Sequence, residues 1–464
     1  MLAWFSEMPL SFRPLLLALT VTLITLPLLL TLTHASETEG STESEQGDEE
    51  DKPGLTGDWL GVRTWAGERG ITFTTSYTGQ VLGNLHGGIH TGATYDALLL
   101  MGIDFKLSKL LGWKGATFHA SICDPQGSSL TDKYVGDFGV VSNLDTYDSV
   151  RLAELWLEQT AWDGHFSTRI GFLAADEEFC VCKTAENFIN SSFGIPGGLA
   201  DNFAVASYPY GGLGVRFIAE PVPRFSIKLG IYDGNVASGV FPDPSPRATP
   251  STEFDHWGTH FALRSSEGAM GLLELEWQHG DADSKAHPAP LTGDFIVGAA
   301  YHTDRFGLIE DRTLDDLGSP RETVNSGIRG NYAIYGIAEH ELWREPGSQK
   351  DGLAAFTRAT FTPPGRNFFE YTTETGFVYH GLFQADAADT LGIGVAVLGV
   401  SPGVRAAYRS TGVHLATAET SVELTYQYEV TPSLSVQPDF QWILHPGGTG
   451  PSALIAGLRV SLKL

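Results

Sequence analysis

Five side chains on three neighbouring stretches have the types and spacing to do chemistry: Glu154, Trp156 and Glu158, two apart, then Arg169, then Arg216. In an extended segment a spacing of two puts the first three on one face. An ionised carboxylate only accepts hydrogen bonds, a guanidinium only donates them in a planar fork, and an indole offers an apolar face with one N–H. Such a set can hold a neutral polar solute. The same residues would serve equally well as charge pairs between adjacent strands. The reading expects no nucleophile elbow, P-loop or zinc motif, and the 14 histidines are scattered without metal spacing. No catalytic residue, metal or cofactor is expected.

The elements that must position these residues show most clearly at the C-terminus. From Ser421 to Glu429, Val422, Leu424, Tyr426 and Tyr428 alternate with polar residues. Leu434, Val436, Phe440 and Trp442 do the same, as do Leu454, Ala456, Leu458, Val460, Leu462 and Leu464. Each stretch is a strand with one apolar and one polar face. A soluble sandwich would alternate too. However, segments of about ten residues suit tilted membrane-spanning strands, and aromatics sit at segment ends as an interfacial girdle would place them. The fold class expected is an all-β transmembrane antiparallel barrel, with a short N-terminal helical segment.

Composition agrees. The 464-residue chain has 29 Lys and Arg against 55 Asp and Glu, a net charge of −26, and 54 Gly. That balance, with no basic patch, argues against nucleic acid as a partner. The one long apolar run, Leu15 to Thr33, follows Arg13 and ends at Thr33-His34-Ala35. It reads as a signal peptide, 1–35, with a retained anchor as the alternative. Residues 36–54 form an acidic tail with almost no apolar residues, expected to be disordered. Residues 55–464 make the barrel. Trp59, Leu60, Val62 and Arg63 suggest an amphipathic helix ended by Gly70.

GDWLGVR, ERGI and SYTGQVLGN, followed by LAELWLEQTAWDGHFSTRIGFLAADEEF, YPYGGLGVRFIAEPVPRFSIKLGIYDGN, ELWREPGSQKDGLAAFTRATFTPPGRN and ELTYQYEVTPSLSVQPDFQWILHPGG, resemble the OprB-type carbohydrate-selective porin family from about Leu55 to the end. The resemblance implies a Gram-negative outer-membrane channel, not an enzyme, that lets sugars diffuse inward. Its partners would be mono- or small oligosaccharides and outer-membrane lipid. It leaves monomer and homotrimer open. It also implies a polar constriction, for which Glu154, Trp156, Glu158, Arg169 and Arg216 are the candidates. A barrel hydrolase, needing Ser or Thr, His and Asn or Asp together on the outer rim, and an adhesive surface protein are the competing classes.

Counting alternating segments gives seventeen, including one at 257–265, although a single-chain bacterial barrel has an even number. The family resemblance points to sixteen, and eighteen stays open. The short connections 108–114, 161–164, 220–224 and 266–270 mark one rim, taken as periplasmic; 124–149, 174–210 and 233–255 mark the other. The miscount is placed between Gly280 and Gly330. Cys123 and the pair Cys180 and Cys182 belong to the same rim, so a disulfide from Cys123 to one of the pair is expected in an oxidising compartment.

Overall fold

Period-two alternation buries one face of every strand and leaves the other against lipid, so the sheet has to close. It does so in the computed structural model, which describes residues 54–464 except 147, 237–256, 260, 262, 264–266, 281–289, 310–326 and 386–387. The expected signal peptide and nearly all of the acidic tail lie outside the described residues. The strands are β1 (Ile71–His86), β2 (Gly92–Lys106), β3 (Ala116–Gly127), β4 (Arg151–Ala161), β5 (Phe166–Leu173), β6 (Gly212–Val222), β7 (Phe225–Asp233) and β8 (Ala269–His279). They continue as β9 (Gly293–Phe306), β10 (Ile328–Arg344), β11 (Gly352–Phe361), β12 (Phe369–His380), β13 (Asp389–Val400), β14 (Ala418–Thr431), β15 (Leu434–Leu444) and β16 (Ala453–Lys463). Each pairs antiparallel with its neighbours, and β1 closes on β16 with Val81 opposite Leu458. Closure leaves no open edge, as a spanning sheet requires.

The outward face is apolar: Val297, Phe377, Leu424 and Leu458 are exposed, and aromatic pairs such as Phe105–Phe118 and Trp343–Tyr379 sit near strand ends. One rim carries tight turns, among them 162–165, 223–224 and 432–433; the other carries the long segments 128–150, 174–211 and 401–417. Short turns mark the periplasmic side. The chain reaches β1 there through helix α1 (Val62–Glu68), stopped by Gly70 at φ +81°, and the last residue returns to the same rim, where the Leu464 N–H donates to the Thr75 carbonyl.

The seventeenth alternating segment adds no strand to the closed barrel. No strand runs at 257–265 among the described residues, and β7 pairs directly with β8. Trp257 and Phe261 instead lie against β4 and β5. The Trp257 carbonyl accepts from the Leu152 N–H, and Phe261 packs on Phe172 with ring centroids 5.4 Å apart. The expected short turn at 266–270 is therefore the end of one long outer connection, and the miscount lay upstream of Gly280.

Candidate functional site

The interior is not lined throughout by polar side chains. The segment between β5 and β6 folds inward, and its Phe179, Phe188, Phe193, Leu199 and Phe203 pack on Tyr232, Met270, Leu272, Tyr335, Ile337 and Phe356 of the wall. Room for this comes from glycines. A Cβ on Gly394 of β13 would lie 2.7 Å from the Phe193 ring, and one on Gly392 would lie 3.1 Å from Phe188. Burying each such ring contributes about 1.5–3 kcal/mol.

A loop inside a barrel must also satisfy its backbone. Wall carboxylates do this. Glu274 of β8 accepts from the Cys180 N–H at 2.6 Å. Glu339 of β10 accepts from the Thr184 N–H and hydroxyl, both at 2.8 Å. Glu423 of β14 accepts from Ile189 and Asn190, and Glu419 takes Phe138 and Gly139 of the neighbouring inner segment. From β11, Arg358 pairs with Glu374 at 3.0 Å and donates to the Cys180 carbonyl at 2.9 Å. The loop is gripped through its main chain by charges on the wall.

The five residues singled out in the sequence come together on β4, β5 and β6. Glu158 receives Arg169 at 3.2 Å and Arg216 at 3.0 Å. Both arginines also meet Glu178 of the inner loop, Arg169 at 3.6 Å. The Arg169 guanidinium lies 3.8 Å from the centroid of Trp156, and His119 of β3 stacks on the same indole at 4.7 Å and 13°. Glu154 accepts from the Ala174 N–H at 3.1 Å, fixing where the loop leaves β5. The five differ in access. Arg169, Glu158 and Glu178 keep 16, 18 and 18% of their side chains exposed, whereas Arg216 keeps 1%. The ion pairs continue round the wall: Lys228 of β7 bonds to Glu276 at 2.9 Å, and Lys183 of the loop to Asp294 of β9 at 2.8 Å.

Opposite, a cavity of about 410 Å³ separates the loop from β1 and β14–β16. Asp176, Glu186 and Tyr208 of the loop, Asn143, and Thr78, Gln427, Gln437, Arg459 and Ser461 of the wall line it. Burial, reinforced by Glu177, pushes the Asp176 carboxyl up to about 7 against the hydrogen bond it accepts from the Tyr208 N–H.

A closed sixteen-stranded barrel with a charged inner loop is a porin's architecture. The sequence profile of the carbohydrate-selective porin, OprB family, matches residues 90–464. This chain belongs to that family. Porin B of Pseudomonas aeruginosa is 27% identical over 438 residues, covering 88% of this chain and 90% of that protein. A putative porin, QuiX, of Acinetobacter baylyi is 25% identical over 441 residues, covering 89% and 94%. The high-pH structure of Pseudomonas putida OprB superposes with a TM-score of 0.74 at 25% identity, covering 92% of this chain and 100% of that one. The protein is an outer-membrane porin of a Gram-negative bacterium.

Other features of this porin depart from the sequence reading. Cys123, Cys180 and Cys182 are three buried free thiols, so the expected disulfide is absent. Sharing a rim did not bring them together, because the loop carries Cys182 down to the wall, where its Sγ lies 3.7 Å from Glu339. Gly399-Val400-Ser401-Pro402-Gly403 has the letter spacing of a nucleophile elbow, between β13 and helix α2 (Pro402–Ser410). Ser401 is fully buried, and its hydroxyl donates to the Asn367 carbonyl at 2.7 Å, a structural role. The charged residues of the inner loop, Asp176, Glu178, Lys183 and Glu186, escaped the sequence reading. The acidic run Asp176-Glu177-Glu178 directly after a strand was the available signal.

Proposed function

We propose that mono- and small oligosaccharides diffuse passively through the part of the lumen left open by the inner loop, and that Arg169, Glu158 and Glu178 meet their hydroxyls. The observation that carries this reading is that these three charges, each partly exposed, are paired with one another where the inner loop meets β4 and β5. Arg169 donates and the carboxylates accept, so a hydroxyl, which does both, can join the network without breaking it. Being already paired, the groups present no uncompensated charge to attract ions strongly.

Trp156 and Arg216 act as supports in this reading. The indole carries His119 and Arg169, so it orients the guanidinium and offers no free face to a pyranose. Arg216 is covered and fixes Glu158 to Glu178. Glu154 anchors the loop. The chain acts as a channel, not an enzyme. One chain closes its own barrel, so each copy carries a complete path as a monomer or in a homotrimer. Proteoliposome swelling with mono-, di- and trisaccharides, set against non-sugar solutes of matched size, tests the proposal. Faster entry of sugars than of their size matches is expected; entry by size alone would overturn it.

A further inference from the structure

The periplasmic rim carries an apolar surface outside the strands. Leu55, Trp59, Leu60, Val62 and Trp65, at and before α1, are all exposed, with Leu60 entirely so. Beside them, the short helical turn Leu107–Leu111 between β2 and β3 adds Leu110 and Leu111, with Trp113 next to it. The two pieces are tied together, the Lys109 Nζ donating to the Gly67 carbonyl at 3.2 Å and the Lys106 N–H to the Gly70 carbonyl at 2.7 Å. They are also tied to the barrel's end, because Arg63 donates to the Leu464 carbonyl at 2.6 Å.

Three further observations say what covers this surface. First, it continues the lipid-facing belt. Trp59 packs on Phe73 of β1, ring centroids 5.6 Å apart, and Phe73 shares its strand face with Val81, which is exposed on the barrel's outside. Second, its charge departs from that of the chain. Residues 54–70 and 106–114 hold Arg63, Arg69, Lys106, Lys109 and Lys114 against Asp58 and Glu68, in a protein with 29 basic and 55 acidic residues. Third, Trp59 and Leu60 both adopt positive φ, +49° and +60°, a conformation uncommon for residues with a side chain, which persists where other interactions outweigh it.

We propose that this element is a foot that lies in the inner leaflet of the outer membrane and binds anionic phospholipid. Trp59, Leu60 and Trp65 enter the acyl–headgroup boundary, where amphipathic indoles settle. Arg69, Lys109 and Lys114 meet the phosphate, as basic residues beside an interfacial helix do. Because Arg63 and α1 hold the C-terminus, lipid binding also fixes the β1–β16 closure on the periplasmic side.

The test uses the full-length porin in nanodiscs, which leave both rims open to solvent. The three native thiols are buried, so a Leu60→Cys variant takes an environment-sensitive fluorophore at one place. In discs mixing phosphatidylglycerol with phosphatidylcholine, the label is expected to be shielded from iodide and quenched by brominated acyl chains. Quenching should be stronger when phosphatidylglycerol carries the bromine than when phosphatidylcholine does. Adding Arg69→Gln, Lys109→Gln and Lys114→Gln should abolish that preference while the heat-modifiable barrel persists. An iodide-accessible label in these discs would mean that the surface waits for something other than lipid, and would overturn the proposal. Equal quenching by the two brominated lipids would overturn the anionic specificity.

Discussion

Glu423 of β14 accepts the N–H of Ile189 at 2.6 Å across a separation of 234 residues. Its other oxygen takes Asn190 at 2.9 Å, so one wall carboxylate holds two consecutive loop amides. Glu339 and Glu419 likewise each hold two consecutive amides and Glu274 holds one, so the shape of the passage is set by carboxylates that no solute meets.

Glu423→Gln should therefore act on the aperture and leave the barrel intact. The amide keeps one acceptor oxygen and turns a donor toward the second loop N–H, a loss of about 1–3 kcal/mol. Planar-bilayer recordings are expected to show noisier open current and passage of larger solutes, with heat modifiability of the purified protein unchanged. A quiet channel with the native size limit would show that apolar packing alone holds the loop.

Asp176 supplies a pH dependence. Its carboxyl is raised to about 7 by burial and by Glu177. A raised acid favours the protonated native state: that contribution is complete below the unfolded value of 3.8 and is lost as pH rises through about 7. The cavity that Asp176 lines thus gains a negative charge between pH 6 and 8, and cation selectivity should rise over that interval. Reversal potentials across a salt gradient measure it. Asp176→Asn should flatten the change, and an undiminished slope in that variant would assign it to another group.

The lipid face gives a sharper contrast. Leu458 is 46% exposed on the outside of β16, while Ser461 of the same strand lines the inner cavity. Arginine at a lipid-facing site near the midplane costs roughly 2–4 kcal/mol. Leu458→Arg should lower the yield of folded, heat-modifiable barrel more than Ser461→Arg does. Equal yields would put the face assignment in error.

How much of this was legible depended on whether a contact follows strand periodicity. Val422, Leu424, Leu458 and Val460 announced their face because a strand alternates strictly, and the same rule brought Glu154, Trp156 and Glu158 to one side. The apposition of Arg169 and Arg216 followed from adjacent strands. The inward fold of 174–211 did not show, because aperiodic segments carry no directional signal. Its phenylalanines look like any loop's until Gly392 and Gly394 are seen opposite them. The 257–265 segment misled for the converse reason: Trp257, Phe261 and Leu263 alternate as a strand would, but no strand forms there among the described residues, and the Trp257 carbonyl and the Phe261 ring contact β4 and β5.

In the proposed channel Arg169, with Glu158 and Glu178, meets the sugar. Arg169→Gln is the cleanest change, because Glu158 keeps Arg216 at 3.0 Å. Removing Arg216 instead would leave two largely covered carboxylates short of a partner, a folding defect of about 3–5 kcal/mol for a buried pair. The measurement is the concentration dependence of glucose flux into proteoliposomes, with small-ion conductance recorded on the same preparation. The prediction is weaker saturation of glucose flux in Arg169→Gln, with ion conductance preserved or raised. Glucose flux that saturates as in the unaltered porin would contradict it and place sugar recognition elsewhere in the lumen.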